Sequence, residues 1–294
     1  KISEFKIKEI DKNKLYNFLR EMEFNRLLSS VISFYGEPEI EFQKKDIKNI
    51  NENKNYFENY NLISKLSELD SWIKKAEEQG EIAIDTETTS VNPQTADLIG
   101  ISLCLESGNA CYIPIGHNSK LNLEKKQVIN KLKPMLEDRS IKKIGQNIKF
   151  DFIVLYHHGV FMCSMEDTML MSYVLDAGKN RHNMDALAEI HLNHKTISYK
   201  DLVGTGKKQI NFKDVDVLKA KDYAAEDADI TYRLYKIFEK SLKSEKLIDI
   251  YEIFEKPLIK ILAFMEIYGV KIDNKFLKNL SEKFEKRIME LEKK

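Results

Sequence analysis

Apolar positions recur along this chain with two different periods, and each change of period marks a predicted element. LSELDSWIKKAEEQG puts Leu66, Leu69, Trp72, Ile73 and Ala76 on one helical stripe, and Gly80 stands where a helix commonly stops. Three strands are then predicted in close order: EIAIDTE, DLIGISLCLE and, after the turn ESGN, ACYIPIG. In the second of these Ile99, Ile101, Leu103 and Leu105 alternate with other residues. Connections this short imply an antiparallel meander. From LEKKQVINKLKPMLED the pattern turns helical, passes through a strand at IKKIGQ and a helix at KFDFIVLYHHG, and stays mostly helical to about residue 243. A meander followed by alternating strand and helix predicts a mixed sheet covered by helices.

The two ends read differently. Near the start a helical segment around LYNFLREMEF is followed by KKDIKNINENKNYFENYN, rich in Lys and Asn and short of apolar periodicity, which reads as a solvated linker. Beyond about residue 245 two amphipathic helices, IDIYEIFEKPLIKILAFMEIYG and NKFLKNLSEKFEKRIMELEKK, meet at GVKIDN, and their apolar stripes need a partner surface. With Lys1 in place of an initiating methionine and a helical pattern cut at Lys294, the chain reads as a piece of a longer protein.

Composition changes this picture little. A chain of 294 residues, 43% hydrophobic and 32% charged, is expected to be soluble and globular, with one sizeable domain and smaller pieces. Lys plus Arg and Asp plus Glu balance at 47 each, so net charge neither favours nor opposes a nucleic-acid partner. Cys104, Cys111 and Cys163 have no metal-ligand spacing and read as reduced thiols. No apolar run approaches the roughly 18 residues of a membrane span, so no membrane partner is expected.

Candidate chemistry begins in IAIDTETTS. Asp85 and Glu87 lie two apart in an extended chain and share one face of the sheet near the carboxyl end of the first strand, where sites form in open α/β sheets. Thr86 points the other way. Taken alone, a strand end with one helix cap and one surface acid explains DTE equally well. In IKKIGQNIKFDF a strand turns into a helix whose first turns hold Asn147 and Asp151, the first able to cap the helix and the second favoured by its dipole. In KDYAAEDADITYRLYKIFEK the wheel sets Asp222, Glu226, Asp229, Arg233 and Lys236 on a solvated face, with Tyr223, Asp227, Ile230 and Leu234 turned inward. A buried carboxylate needs a basic residue or a metal facing it. Oxygen ligands from Asp85, Glu87, Asp151 and Asp227 suit Mg²⁺ or Mn²⁺ better than zinc, and two such ions about 4 Å apart serve phosphodiester hydrolysis. The spacing in HLNH, residues 191 to 194, is a poor zinc signal, and GTGK, residues 204 to 207, lacks the full phosphate-cradle pattern. Lysines 120, 125, 126, 207 and 208 read as solvated, with the last two in a segment bordering a channel.

DTET at 85 to 88, GQNIKFD at 145 to 151 and YAAEDAD at 223 to 229 resemble, in order, the three exonuclease motifs of the proofreading part of family A DNA polymerases, the bacterial DNA polymerase I family. RHNMDALAE and HKTISYKDLVGTGKKQINF resemble its intervening segments, and PLIKILAFMEIYGVKID resembles the start of its polymerase domain. The resemblance implies an α/β ribonuclease-H-like fold, a mixed five-stranded sheet flanked by helices. It divides the chain into a 5′-nuclease tail and linker (1–60), a 3′-5′ exonuclease domain (61–244) and a truncated start of the polymerase domain (245–294). The polymerase catalytic motifs are absent.

The activity so implied is hydrolysis of the 3′-terminal nucleotide of single-stranded DNA, for a polymerase domain of the same full-length chain in the bacterial cytoplasm, associated with the nucleoid. Two divalent cations, Mg²⁺ or Mn²⁺, serve as cofactors. Asp85, Glu87 and Asp227 hold one, Asp85 and Asp151 help hold the other, and Tyr223, with Glu87, orients the attacking water. Implied substrate contacts are Thr86, Val91 as a wedge against the terminal base, Gln146 and Asn147 near the terminal nucleotides, Arg181 on phosphate and Tyr199 for stacking. Two rivals remain open from the sequence: an RNA-trimming exonuclease of the ribonuclease D type, and an inactive scaffold that keeps the fold.

Overall fold

The computed structural model describes residues 10–22, 24–36, 60–206 and 209–293. The chain divides into two compact units, Lys1–Asn55 and Tyr56–Lys294. In the first, α1 (Lys12–Glu21) is capped by the Asp11 side chain, which accepts from Lys14 N. It packs against α2 (Asn25–Tyr35), and the Tyr16 hydroxyl donates to Gly36 O at 2.7 Å. All but the last two residues of the expected linker, and also Lys207 and Lys208, lie outside the described residues.

The second unit is built on a sheet of six strands in the order β1-β4-β3-β2-β5-β6. They are β1 (Asn61–Leu62), β2 (Glu81–Thr88), β3 (Leu98–Glu106), β4 (Asn109–Pro114), β5 (Lys142–Gly145) and β6 (Met165–Asp167). β2, β3 and β4 form the expected antiparallel meander; β5 and β6 run parallel to β2 on one side, and β1 parallel to β4 on the other. The sixth strand is one more than the five expected. β1 and β6, at two and three residues, are too short to show a period in the sequence.

Helices cover both faces. α3 (Leu66–Gln79), α4 (Lys125–Glu137), α5 (Ile148–His157) and α11 (Lys256–Tyr268) share one apolar core with Ile82, Ile84, Ile101 and Leu103. On the other face α6 (Thr168–Asp176) and α9 (Val217–Ser244) meet Ala83, Cys104, Ala110 and Ile144. Buried on both sides, β3 reads as a nearly continuous apolar run. Short helices α7 (Met184–Leu187) and α8 (Tyr199–Val203) lie in the connection to α9. After α9, α10 (Ile248–Ile250) leads through one π-helical turn into α11, and α12 (Asn274–Glu292) closes the described chain.

Two features of packing set the space for a site. Ala220, Ala224, Ala225 and Ala228 are buried on α9, so that this 28-residue helix approaches the sheet closely. At Gly100, paired with Glu87 across the ladder, a Cβ would lie 2.0 Å from the Tyr112 hydroxyl. The buried Tyr112 ring therefore occupies the room that any side chain at position 100 would take, and its hydroxyl meets His117 Nε2 at 2.7 Å. Gly100→Ala should destabilise the protein by roughly 1–3 kcal/mol through overpacking, read as a lower urea midpoint; an unchanged midpoint would contradict this packing.

Candidate metal and nuclease site

Strand alternation brings Asp85 and Glu87 to the face of β2 that α9 covers, with Ala83 on the same side. Opposite them stand Ser102 and Gly100 of β3. The alanine surface of α9 lowers Asp227 onto this face. Asp85, Glu87 and Asp227 each offer an oxygen, and the three atoms lie within 4.8 Å of one another. Glu87 and Asp227 are buried and Asp85 is half-buried.

Asp151 reaches the same region from the opposite face. It sits in the first turn of α5, and its Oδ1 accepts from Thr86 N at 3.0 Å and from the Thr86 hydroxyl at 2.5 Å. Thr86, expected at the substrate, is thus buried and engaged with an acid. The sequence also offered Asn147 as the cap of α5, and here the structure differs. Asn147 stands at the N-cap with φ of 56° and makes no side-chain cap bond. Asp167, at the end of β6, does the capping: it accepts from Asn147 N and Ile148 N at 3.0 Å each and from Met169 N at 2.9 Å. One carboxylate thereby ties the starts of α5 and α6 together, and the lever that carries Asp151 is fixed.

Electrostatics join the four acids. Burial raises Asp85 to about 6. Burial, followed by the charges of Asp85, Asp227 and Asp151, pushes Glu87 well above the ordinary carboxylate range. Asp151 and Asp227 are raised in the same direction, first by burial and then by Asp85. Among the described residues no Lys, Arg or His forms an ion pair with any of the four. Tyr223 lies one helical turn before Asp227, and burial and then the Asp227 charge raise its hydroxyl pKa, so it stays protonated near neutral pH.

The other acids of α9 correct the helical wheel. Glu226 and Asp229 were expected in solvent, yet both are fully buried. His194 Nε2 and Ile197 N each approach Glu226 at 2.7 Å, and Asp229 accepts from Gly108 N at 2.7 Å and the Tyr60 hydroxyl at 3.0 Å, with Arg233 at 3.8 Å. These two are satisfied by protein donors. Asp227 faces other carboxylates and Tyr223, so the donor set around it fits a hard divalent cation.

The remaining expected contacts are dispersed. Val91 is 94% exposed beyond β2, and Arg181 is exposed in the connection after α6. Both ends of the Gln146 amide are engaged, donating to His182 O at 2.8 Å and accepting from the Thr168 hydroxyl at 2.5 Å. Tyr199 is 42% exposed, lies parallel to the buried Phe212 ring at 6.3 Å, and meets Tyr223 edge-on at 6.1 Å. His191 packs on Phe238 while His194 serves Glu226, so HLNH forms no metal pair. All three cysteines are free. Sequence reasoning missed Asp167, Phe212 and Glu226; for Asp167 alone a local signal existed, an acid just before the helix TMLMSYVLD.

The family model described as 3′-5′ exonuclease matches residues 60–243. DNA polymerase I of Rhizobium leguminosarum is 39% identical over 242 residues, covering 76% of this chain and 24% of that protein. DNA polymerase I of Pseudomonas aeruginosa is 37% identical over 241 residues, covering 80% and 26%. This chain thus spans about a quarter of the length of these curated relatives. Among solved structures, the POL domain of Pol1 from M. smegmatis in complex with DNA primer-template and dNTP gives a TM-score of 0.63 at 18% identity, over 79% of this chain and 36% of that one. Brucella melitensis NrnC with bound Mg²⁺ gives 0.52 at 24%, over 72% and 95%. At these identities the two structures speak for the fold alone.

Metal-free stability should carry the mark of the crowded acids. A carboxylate whose folded pKa exceeds its unfolded one binds its proton more tightly in the folded chain, so stability is lost as pH rises from the unfolded pKa through the folded one. For Asp85 that window runs from 3.8 to about 6. Without metal, Asp85→Asn should therefore gain on the wild type across this window, reaching about 3 kcal/mol above it, while losing most of the wild type's thermal stabilisation by Mn²⁺. A pH-independent difference between the two melting curves would contradict the crowding.

Proposed function

This chain belongs to the 3′-5′ exonuclease family carried by DNA polymerase I, and from that premise we propose that it hydrolyses the 3′-terminal nucleotide of single-stranded DNA to a nucleoside 5′-monophosphate. The observation that carries the proposal is the set of oxygens from Asp85, Glu87 and Asp227 within 4.8 Å of one another, without a protein cation among the described residues. Proofreading for a polymerase domain of the same full-length chain is its context. On this reading residues 1–60 are the 5′-nuclease tail and linker, 61–244 the exonuclease and 245–294 the start of the polymerase domain. No helix among the described residues is long and apolar enough to cross a membrane. A cytoplasmic, nucleoid-associated location accords with the DNA substrate.

Asp85, Glu87 and Asp227 hold one Mg²⁺ or Mn²⁺, and Asp85 with Asp151 helps to hold a second. When bound, such ions activate water and stabilise the leaving 3′ oxygen. The chain's own residues do the positioning. Thr86 fixes the rotamer of Asp151 through two hydrogen bonds to one oxygen. Tyr223 keeps its proton and so presents a donor that, with Glu87, orients the attacking water. Tyr199 offers a stacking face to a terminal base, Val91 wedges against it from its exposed turn, and Arg181 contacts phosphate. Gln146 and Asn147 line the approach, Gln146 by holding the backbone at His182 beside Arg181.

With Mg²⁺ or Mn²⁺, mononucleotides should be released from a 3′-labelled single-stranded DNA oligonucleotide. Asp85→Ala or EDTA should abolish this release. Activity unchanged by either would sink the assignment, and faster trimming of an RNA oligonucleotide of the same sequence would favour the ribonuclease D type of reading.

A further inference from the structure

Glu226 is the immediate neighbour of Asp227 on α9, yet it points to a different task. Fully buried, it takes Nε2–H of His194 on one oxygen and the Ile197 amide on the other, each at 2.7 Å. Both donors belong to the segment that leads into α8. His194 follows Asn193, whose φ of 49° turns the chain out of the preceding π-helical turn. Ser198 is the N-cap of α8, and Tyr199 is its first residue. Two hydrogen bonds to one buried carboxylate therefore fix the chain two residues before Tyr199. On the far side of Tyr199, the buried ring of Phe212 lies parallel to its own.

We propose that Glu226 is a positioning residue for DNA: through His194 and the Ile197 amide it holds Tyr199 over the acid cluster, ready to stack on the 3′-terminal base. The proposal rests on the exonuclease reading for its substrate, but the clamp itself is independent of it. Charge-assisted bonds to a buried carboxylate are among the stronger ones a protein makes. Their removal frees a loop that has few other ties at this point, chiefly the Thr196 hydroxyl on Asp185 at 2.7 Å. Acting through a stacking side chain, Glu226 governs substrate binding, whereas Asp227 governs the metal.

The test compares Glu226→Ala, Glu226→Gln, His194→Ala and Tyr199→Ala in this chain. Hydrogen exchange at the Ile197 amide, which needs no activity, should accelerate in Glu226→Ala and His194→Ala and stay slow in Glu226→Gln, which keeps an acceptor oxygen. With single-stranded DNA, Glu226→Ala should raise KM roughly tenfold, the scale of one lost base stack, with kcat and Mn²⁺ stabilisation retained. Glu226→Gln should restore most of the loss. Adding Glu226→Ala to Tyr199→Ala should add nothing, because both remove one interaction. Unchanged exchange at Ile197, an unchanged KM, or a fall in kcat with weakened Mn²⁺ binding would each overturn the proposal. A wild-type chain without nuclease activity would instead overturn the exonuclease reading, leaving the exchange result to stand.

Discussion

Like charges gathered in a buried place repel one another, and the second unit of this protein is arranged around one such gathering. Asp85 is the common neighbour: its charge acts on Glu87, Asp151 and Asp227, and burial acts on all four. A fold keeps such a set only if its frame is stiff enough to resist the repulsion and if something outside the chain relieves it. The frame is visible in the packing. β2 is central in the sheet, the alanine surface of α9 lies against it, and the start of α5 is pinned by Asp167.

The pinning extends beyond the acids. Asp167 is steadied by the Tyr251 hydroxyl, which accepts from Asp167 N at 2.9 Å and donates to Glu166 at 3.0 Å. Lys256 pairs with Glu166 at 2.5 Å, and Lys149 of α5 pairs with Glu266 of α11. Phe264 of α11 sits edge-on to Phe152 and Tyr156 of α5 at 5.8 and 5.6 Å. The helix that presents Asp151 is therefore braced by elements more than a hundred residues downstream, past the end of the matched family region at residue 243.

How much was legible in the sequence depended on the range of the forces involved. Asp85 and Glu87 share a face because strands alternate, a local rule that held. The inward turn of Asp227 followed from helical spacing, another local rule. Glu226 and Asp229 defied the same wheel because their partners come from 29 to 169 residues away: His194 and Ile197 for one, Gly108 and Tyr60 for the other. A wheel counts faces, but it cannot see that α9 is covered on more than one of them. Asn147 looked like a cap because its residue type favours that role; the left-handed backbone there turned its amide, and not its side chain, toward Asp167. Length hid β1 and β6, and the motif order alone said nothing of Thr86 holding Asp151.

The central claim is that the carboxylates around Asp85 are uncompensated within the described protein and form a cage for a divalent cation. Anomalous scattering from crystals grown with Mn²⁺ tests it most directly. A peak is expected among the oxygens of Asp85, Glu87 and Asp227. Those three acids lying ordered with no peak between them, or a peak at Glu226 or Asp229 instead, would contradict it.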